Sequence, residues 1–193
     1  MKNWPLIAFK KDLRAGIIVA LIVLAVWLLL RRPWKRRPLP REIALGLFIP
    51  FMAALLYLAL DGDWANPVSM LRSAWTRLQT GDKLRLTPFS TIAKQLGTLH
   101  KFNSVTQLLG NTLLFVPWGF CLPLLWERFR RPLRMVGMAL LLTCAIECTQ
   151  LFIDRYFEVD DILLNFAGSM LGAGTWRVLH RRWPEMDAHF LTT

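Results

Sequence analysis

Long apolar blocks constrain this chain more than any other feature of its sequence. A helix that crosses a bilayer needs ~20 mostly apolar residues, within a range of ~17–25. Five stretches approach or reach that length, and the first is the shortest: Gly16–Leu30, Ile43–Leu60, Val105–Trp126, Leu133–Ile153 and Val159–Leu179. Hydrophobic residues make up 54% of the chain, which is more than in an average soluble domain. The sequence therefore predicts an all-α integral membrane bundle of about five transmembrane helices.

The net charge of +11 raises the question of a nucleic-acid partner. The basic residues, however, are concentrated in short segments between apolar blocks, at 31–41 and 127–134. Short basic loops beside membrane spans mark the cytoplasmic face, where they also meet anionic lipid. This placement argues against nucleic-acid binding and puts both loops and the tail after Leu179 on the cytoplasmic side. With an odd number of spans, the N-terminus and residues 61–104 then lie outside, although the N-terminus is itself basic.

The long segment between the second and third blocks contains two amphipathic stretches. In "TPFSTIAKQLGTL", Thr87 is a candidate N-cap and Pro88 would occupy the first helical position. Apolar residues then recur on one side of this stretch: Phe89, Ile92, Leu96 and Leu99. An earlier stripe consists of Leu71, Trp75 and Leu78. Both stretches predict short helices, which either lie in the outer membrane interface or form a lid on the bundle.

Three neighbouring spans each carry one polar or small face. The third span has Gln107 and Asn111, the fourth has Thr143, Glu147, Gln150 and Asp154, and the fifth has Asp161, Asn165, Gly168 and Gly172. Spacings of three and four place each set on one side of its helix. In the predicted orientation, every polar residue of these faces except Thr143 lies within ~15 Å of the outer surface. The sequence thus predicts a polar pocket in the outer leaflet, closed by the link "DRYFE".

The acids of this region require partners, because an ionisable group at membrane depth costs ~2.5–3.5 kcal/mol on insertion scales. Glu147 lies two turns inside its span, and Arg155 is the only cation of the stretch. One guanidinium cannot neutralise the surrounding acids, so a protonated Glu147, bound water or a cationic ligand is expected. Polar and small residues also hold membrane helices together. We favour that interpretation for Gln107 and for the glycines at 168, 172 and 174.

The same residues carry a family resemblance. "NTLLFVPWGF" resembles the N-x-x-x-F-x-P-x-G-F pattern of the VanZ-like family, and "IECTQLF" resembles its I-E-x-x-Q-x-F pattern. "RYFEVDDILLNFAGSMLG" is similar to a third pattern, R-x-F-D-x-x-D-x-x-x-N-x-x-G-x-x-x-G, with Glu158 where Asp is usual. The "TPF" at 87–89 resembles a shorter element that Asn usually precedes, whereas Leu86 stands here. The resemblance covers about 84–176, and residues 1–60 carry no recognisable motif.

This resemblance implies a multi-pass protein of the bacterial inner membrane that acts in the cell envelope. The family's namesake is associated with low-level resistance to the glycopeptide teicoplanin. The implied organisation has two N-terminal transmembrane helices with a basic loop (1–60) and an extracytoplasmic interfacial segment (61–104). A VanZ-like three-helix core (105–179) and a cytoplasmic tail (180–193) follow. Cys121, Cys144 and Cys148 lie within predicted spans and are interpreted as packing residues.

Two functions fit these observations. In the first, the outward-facing pocket binds a lipid head group, a peptidoglycan precursor or an amphiphilic antibiotic, with membrane lipid as the general partner and no cofactor. The predicted ligand-binding residues are Asn111, Glu147, Gln150, Arg155, Asp160, Asp161 and Asn165. In the second, an integral-membrane enzyme acts on a lipid-linked envelope substrate with Glu147 and Asp161 as catalytic candidates. No metal is expected, and the weak candidates for one are Asp160, Asp161 and Glu158.

Overall fold

The computed structural model describes residues 4–30, 38–62, 64, 66–98, 102–185 and 190. This part is predominantly helical, which confirms the predicted all-α bundle. Its helices are α1 (Trp4–Leu30), α2 (Leu39–Ala59), α3 (Pro67–Thr80), α4 (Ser90–Leu96), α5 (Phe102–Leu113), α6 (Phe115–Leu125), α7 (Pro132–Phe152) and α8 (Val159–Arg182), with a 3-10 turn at Glu127–Arg130. Two short strands, β1 (Leu84–Arg85) and β2 (Phe157–Glu158), pair in parallel. Most of the basic loop at 31–41 lies outside the described residues.

Four described segments are long and apolar enough to cross a membrane, and the predicted count of about five exceeds this by one. They are Leu13–Leu30, Leu39–Ala59, Ser104–Leu125 and Pro132–Phe152. The helix α8 has the length for a span but not the composition. Asp160 and Asp161 occupy its first turn, and its last turn is basic. Its inner face is polar or small because it packs on protein and not on lipid. The chain is thus a multi-pass membrane protein.

The third span consists of two helices, α5 and α6, which meet at Leu114. Pro117 explains the interruption, since proline has no N–H to donate to the carbonyl of Leu113 and its ring crowds that carbonyl. Such breaks are tolerated in a membrane where neighbouring helices cover the backbone. Here α8 covers it, because α6 and α8 form the most extensive interhelical contact in the described part of the chain.

Glycines allow the α6–α8 contact to be this close. A Cβ atom at Gly119, Gly168 or Gly172 would lie 2.0 Å from a backbone carbonyl oxygen of the facing helix. The predicted packing role of Gly168 and Gly172 is therefore confirmed. The same prediction for Gly174 is wrong, because a Cβ there would meet no atom within 4 Å. Gly174 lies on the open side of α8.

The apolar core lies between α2, α6 and α7. One buried cluster joins α2 through Phe48 to α6 and α7, and a smaller one joins Leu55, Phe115 and Ile146. By contrast, α1 packs mainly on α2 and leaves most of its apolar surface exposed, as expected for a helix surrounded by lipid. The core fixes the positions of α2, α5, α7 and α8. At one end of the bundle, polar residues of the last three helices meet beside the carboxyl end of α2.

The segment between α2 and α5 folds into α3, β1 and α4 and lies against that end. The strand register pairs Leu84 with Phe157 and Arg85 with Glu158, so the segment is fastened to the link between α7 and α8. The helix α3 contacts α7, and Ala74 is the buried residue of α3. The apolar stripe of α3 remains exposed, by 59% at Leu71, 64% at Trp75 and 54% at Leu78. The helix thus contacts the bundle and also offers an apolar surface.

The predicted start of the second amphipathic helix is wrong. The helix α4 begins at Ser90, and Phe89 occupies the N-cap position with a left-handed φ of 63°. Thr87 does not cap it, because a carboxylate from α8 takes that role, as described below. Leu96 is exposed, whereas Leu99 of the predicted stripe lies outside the described residues.

Candidate functional site

A polar cavity of ≈ 90 Å³ lies between α2, α5, α7 and α8. Six of the seven residues predicted to bind a ligand line it: Asn111, Glu147, Gln150, Arg155, Asp161 and Asn165. Apolar side chains of α2 and α5, including Leu58 and Leu114, complete the wall. The polar faces of three helices therefore converge, as the spacing of their residues predicts. The seventh predicted residue, Asp160, lies elsewhere.

Glu147 is buried in the wall of this cavity, with 1% of its surface exposed. Its Oε2 atom accepts a hydrogen bond of 2.9 Å from the backbone N–H of Glu158, which immediately precedes α8. The first amides of a helix have no partner within the helix, and the helix dipole favours a negative charge beside them. The start of α8 therefore stabilises a carboxylate that α7 carries into the bundle.

The carboxyl end of α2 reaches the same cavity and is capped by two of its residues. Gln150 Nε2 donates to the carbonyl oxygen of Ala59 at 2.8 Å, and Arg155 Nη1 donates to the same oxygen at 3.1 Å. Arg155 Nη1 also lies 3.3 Å from the carbonyl oxygen of Asp61. The last carbonyls of a helix lack intrahelical partners, so both side chains satisfy atoms that would otherwise be unpaired.

Asp161 and Asn165 follow one another on the face of α8 that borders the cavity. Both are buried, yet Asp161 Oδ1 and Asn165 Oδ1 have no hydrogen-bond partner in the described part of the chain. Asn111 of α5 faces Asp161 within reach of a side-chain hydrogen bond. Two carboxyl groups and one guanidinium line the cavity, and the side-chain atoms left unpaired there are acceptor oxygens.

Asp160 points away from the cavity and caps α4. Its carboxylate accepts hydrogen bonds from the backbone N–H groups of Phe89 at 2.5 Å, Thr91 at 2.7 Å and Ile92 at 3.0 Å. Three bonds to amides account for its burial, at 2% exposed, without a ligand. Neighbouring acids on α8 thus have different surroundings, because successive helical residues point about 100° apart.

Two acids of the link between α7 and α8 pair with cations of the segment that contains α3, β1 and α4. This segment is called the outer segment below. Asp154 contacts both Arg77 and Lys83, and the Lys83 Nζ–Asp154 Oδ1 distance is 2.7 Å. The hydrogen bond from Lys83, followed by the charge of Arg77, holds the pKa of Asp154 below its usual range. Arg85 Nη1 lies 2.6 Å from Glu158 Oε1. The outer segment thus supplies three cations to the link.

The sequence alone did not reveal these three cations as partners. Arg77 and Lys83 precede Asp154 by more than 70 residues, and no periodic signal connects them. The hydrogen bond from Arg155 to the carbonyl oxygen of Ala59 could not be predicted from the sequence either. Only the packing of α2 against the rest of the bundle brings these two residues together. Five members of the predicted polar or small faces also lie outside the cavity: Gln107, Thr143, Asp154, Gly168 and Gly172. Thr143 is buried within α7, and Gln107 is exposed on α5.

The unpaired polar atoms of the cavity are hydrogen-bond acceptors. Among the described residues, no three or more His, Cys, Asp and Glu side chains converge as a metal site would require. A group carrying N–H or O–H donors, such as water, an alcohol or an ammonium, matches the unpaired oxygens of Asp161 and Asn165.

Comparison with known protein families gives a single assignment. The sequence profile of the VanZ/LLP1 family matches residues 45–180. The match includes the second half of α2, where we recognised no motif, and this half supplies Leu55, Leu58 and Ala59 to the cavity. No curated protein and no solved structure matches the chain. The family match covers most of the sequence, the cavity and every helix that lines it, and this multi-pass membrane protein belongs to the VanZ/LLP1 family.

Proposed function

We propose that the cavity binds the donor-bearing end of an envelope amphiphile at the outer leaflet of the bacterial inner membrane. The ligand is a lipid head group, a peptidoglycan precursor or an amphiphilic antibiotic. One observation carries the proposal: Asp161 Oδ1 and Asn165 Oδ1 are buried acceptors without a partner, side by side in a polar cavity. Leaving such atoms unpaired costs about 1–3 kcal/mol each, so water or a ligand must satisfy them.

The unpaired acceptors of the cavity and its volume limit the class of ligand that can bind. An ammonium or hydroxyl group can donate to the unpaired oxygens of Asp161 and Asn165, whereas a fully ionised phosphate has no N–H or O–H to donate. The volume of ≈ 90 Å³ has room for several water molecules or for the terminal group of a larger molecule. A glycopeptide or a lipid-linked sugar can therefore enter only by one end, with its remainder in the membrane interface beside α3.

The direct test is the binding of an ethanolamine lipid by the purified protein in detergent. Wild type should bind it more tightly than a choline lipid, which has no N–H to donate. Asp161→Asn should weaken this binding by about tenfold, because a hydrogen bond to a charged group contributes about 1.5–3 kcal/mol. Asp82→Asn, which removes an exposed acid of the outer segment, is the matched control and should bind like wild type.

Native mass spectrometry of the lipid adducts supplies the measurement. Equal retention of both lipids by wild type and by Asp161→Asn would contradict the proposal. A resistance role is tested separately, by expressing the protein in a glycopeptide-susceptible bacterium. Tolerance to teicoplanin should rise with wild type and return toward the host level with Asp161→Asn.

The enzymatic alternative is favoured by one observation, the presence of Glu147 and Asp161 as two carboxylates in one cavity. Isosteric variants distinguish the two functions. If Glu147 transfers a proton, Glu147→Gln should abolish the envelope phenotype while the lipid remains bound. If the cavity only binds, Glu147→Gln should reduce the phenotype in proportion to affinity. Gln keeps the shape of Glu147 but carries an amide NH₂ in place of one carboxyl oxygen, so it cannot transfer a proton.

A further inference from the structure

A second cavity, of ≈ 170 Å³, lies at the opposite end of α8. It is bounded by the end of α6, the 3-10 turn, the start of α7 and the last turns of α8. Its wall is mainly apolar, with Phe129, Met135 and Met170, and it includes Arg130 and Arg177. Asn165 and Arg177 are twelve residues apart on α8, or ~18 Å at 1.5 Å per residue. The two cavities therefore face opposite leaflets of a bilayer whose core is ~30 Å thick.

The polar side chains that line this cavity are all donors, and one of them, Arg130, lies over the Trp176 ring and donates through Nε to the carbonyl oxygen of Pro123 at 3.2 Å. Trp176 lines it and is 5% exposed, yet its Nε1–H has no hydrogen-bond partner in the described part of the chain. An indole N–H only donates, and a guanidinium also only donates. A ligand that fits must supply acceptor oxygens, must tolerate positive charge and must cover apolar surface. An inorganic anion meets only the first two of these requirements.

The surroundings of the cavity indicate access from the membrane. Leu133 is 86% exposed, and Leu171 and Val178 are 58% and 56% exposed on α8. Side chains with this exposure meet acyl chains in a membrane protein. Arg131 and Arg134 are exposed beside the cavity at the start of α7. A basic rim below a lipid-facing apolar surface matches the inner leaflet, where anionic lipids are concentrated.

We propose that this second cavity is a binding site for an acidic glycerophospholipid of the cytoplasmic leaflet. One acyl chain lies against Phe129, Met135 and Met170. The phosphate and ester oxygens accept hydrogen bonds from Trp176 Nε1 and from the arginines at 130 and 177. The inference is independent of the outer cavity, whose unpaired atoms are acceptors and select the opposite chemistry.

The sharpest test fills the cavity without disturbing the packing of α8. Gly174 lines the cavity, and a Cβ there meets no atom within 4 Å, so Gly174→Leu places a side chain in the space assigned to the lipid. Gly137 on α7 has equally open space and does not line the cavity, so Gly137→Leu is the matched control. Replacing an open helical glycine with leucine should leave folding intact, which thermal unfolding in detergent checks.

Purified full-length variants are mixed with phosphatidylglycerol or phosphatidylcholine and analysed by native mass spectrometry. Wild type and Gly137→Leu should retain phosphatidylglycerol in preference to phosphatidylcholine, and Gly174→Leu should lose this adduct. Arg177→Gln should retain about fivefold less, since one basic residue near an anionic lipid contributes about 1 kcal/mol. Arg181→Gln, with the same charge change on the next turn, should retain more than Arg177→Gln.

Equal retention of phosphatidylglycerol by Gly174→Leu and Gly137→Leu would overturn the proposal. Equal retention of the two lipids by wild type would also overturn it. Asp161→Asn should leave phosphatidylglycerol binding unchanged, so a failure of this site and a failure of the outer cavity are distinguished.

Discussion

The acids from Glu147 to Asp161 have partners of several kinds. Glu147 accepts from an amide at the start of α8, Asp154 and Glu158 pair with cations of the outer segment, and Asp160 caps α4. Asp161 faces Asn111 and keeps one oxygen unpaired. The acids of this stretch therefore fall into two groups: those that make structural contacts and those that line the cavity. Most of these acids hold the outer segment and α8 in place, and Asp161 is the acid that we propose binds a ligand.

At the residue scale we predict a pH-dependent contribution from Asp154. Lys83 and Arg77 hold its pKa below the usual value, so the charged form stabilises the fold. This stabilisation is fully present above the unfolded-state pKa of ~3.9 and is lost as the pH falls through the lower folded-state pKa. Asp154→Asn should cost about 0.2–1 kcal/mol at pH 7, since the side chain of Asp154 is about half exposed to solvent, and less at high salt.

Thermal unfolding in detergent, measured from pH 7 down to about pH 3, gives the comparison. Asn suits the left-handed φ of 66° at this position, so the variant changes the charge and not the backbone. Asp82→Asn is the control and should match wild type throughout. A constant difference between wild type and Asp154→Asn across this range would show that charge is not the cause.

At the scale of elements, the contact between α6 and α8 decides where the cavity forms. The contact depends on Gly119 of α6 and Gly172 of α8, and Gly168 lets α8 approach the carbonyl of Thr112 on α5 equally closely. It places Asn165, one turn before Gly168, beside the break between α5 and α6. The spacing of the glycines predicts a helix face that another helix can approach closely. It does not predict which helix packs against that face.

We predict that Gly172→Ala destabilises the bundle, since its Cβ would lie 2.0 Å from the Val116 carbonyl oxygen. Overpacking of this kind costs about 1–3 kcal/mol or more, because a backbone must move. Gly137→Ala is the matched control and should be neutral or stabilising by about 0.5–1 kcal/mol, because its surroundings are open. Unfolding by a denaturing detergent measures both, and equal stability of the two variants would refute the close-packing role.

At the scale of the whole molecule, the two cavities require a defined orientation in the membrane. The outer segment and the link at 153–158 form one end of the bundle, and the basic 3-10 turn with the end of α8 forms the other. The positive-inside rule predicts that the basic end lies in the cytoplasm. With that orientation, we expect the acceptor-rich cavity to face the envelope and the donor-rich cavity to face the inner leaflet.

Cysteine labelling tests this orientation. In a background without Cys121, Cys144 and Cys148, single cysteines replace the exposed residues Asp82 and Arg128. Asp82→Cys should react with a membrane-impermeant maleimide in intact cells, and Arg128→Cys should react only after permeabilisation. The reverse pattern would place both cavities on the wrong sides and would remove the basis of both proposals.

The sequence by itself determined the helical class, most of the spans, the family and six of the residues that line the cavity. These follow from patterns that are local along the chain, because a helical period of 3.6 residues assigns side chains to faces wherever the helix lies. Only the tertiary structure decided which residues neutralise the acids, that Asp160 is a cap and that Ala59 joins the site. Most of those contacts connect residues that are far apart in the sequence, such as Asp160 with Phe89, and the packing of the helices alone brings them together.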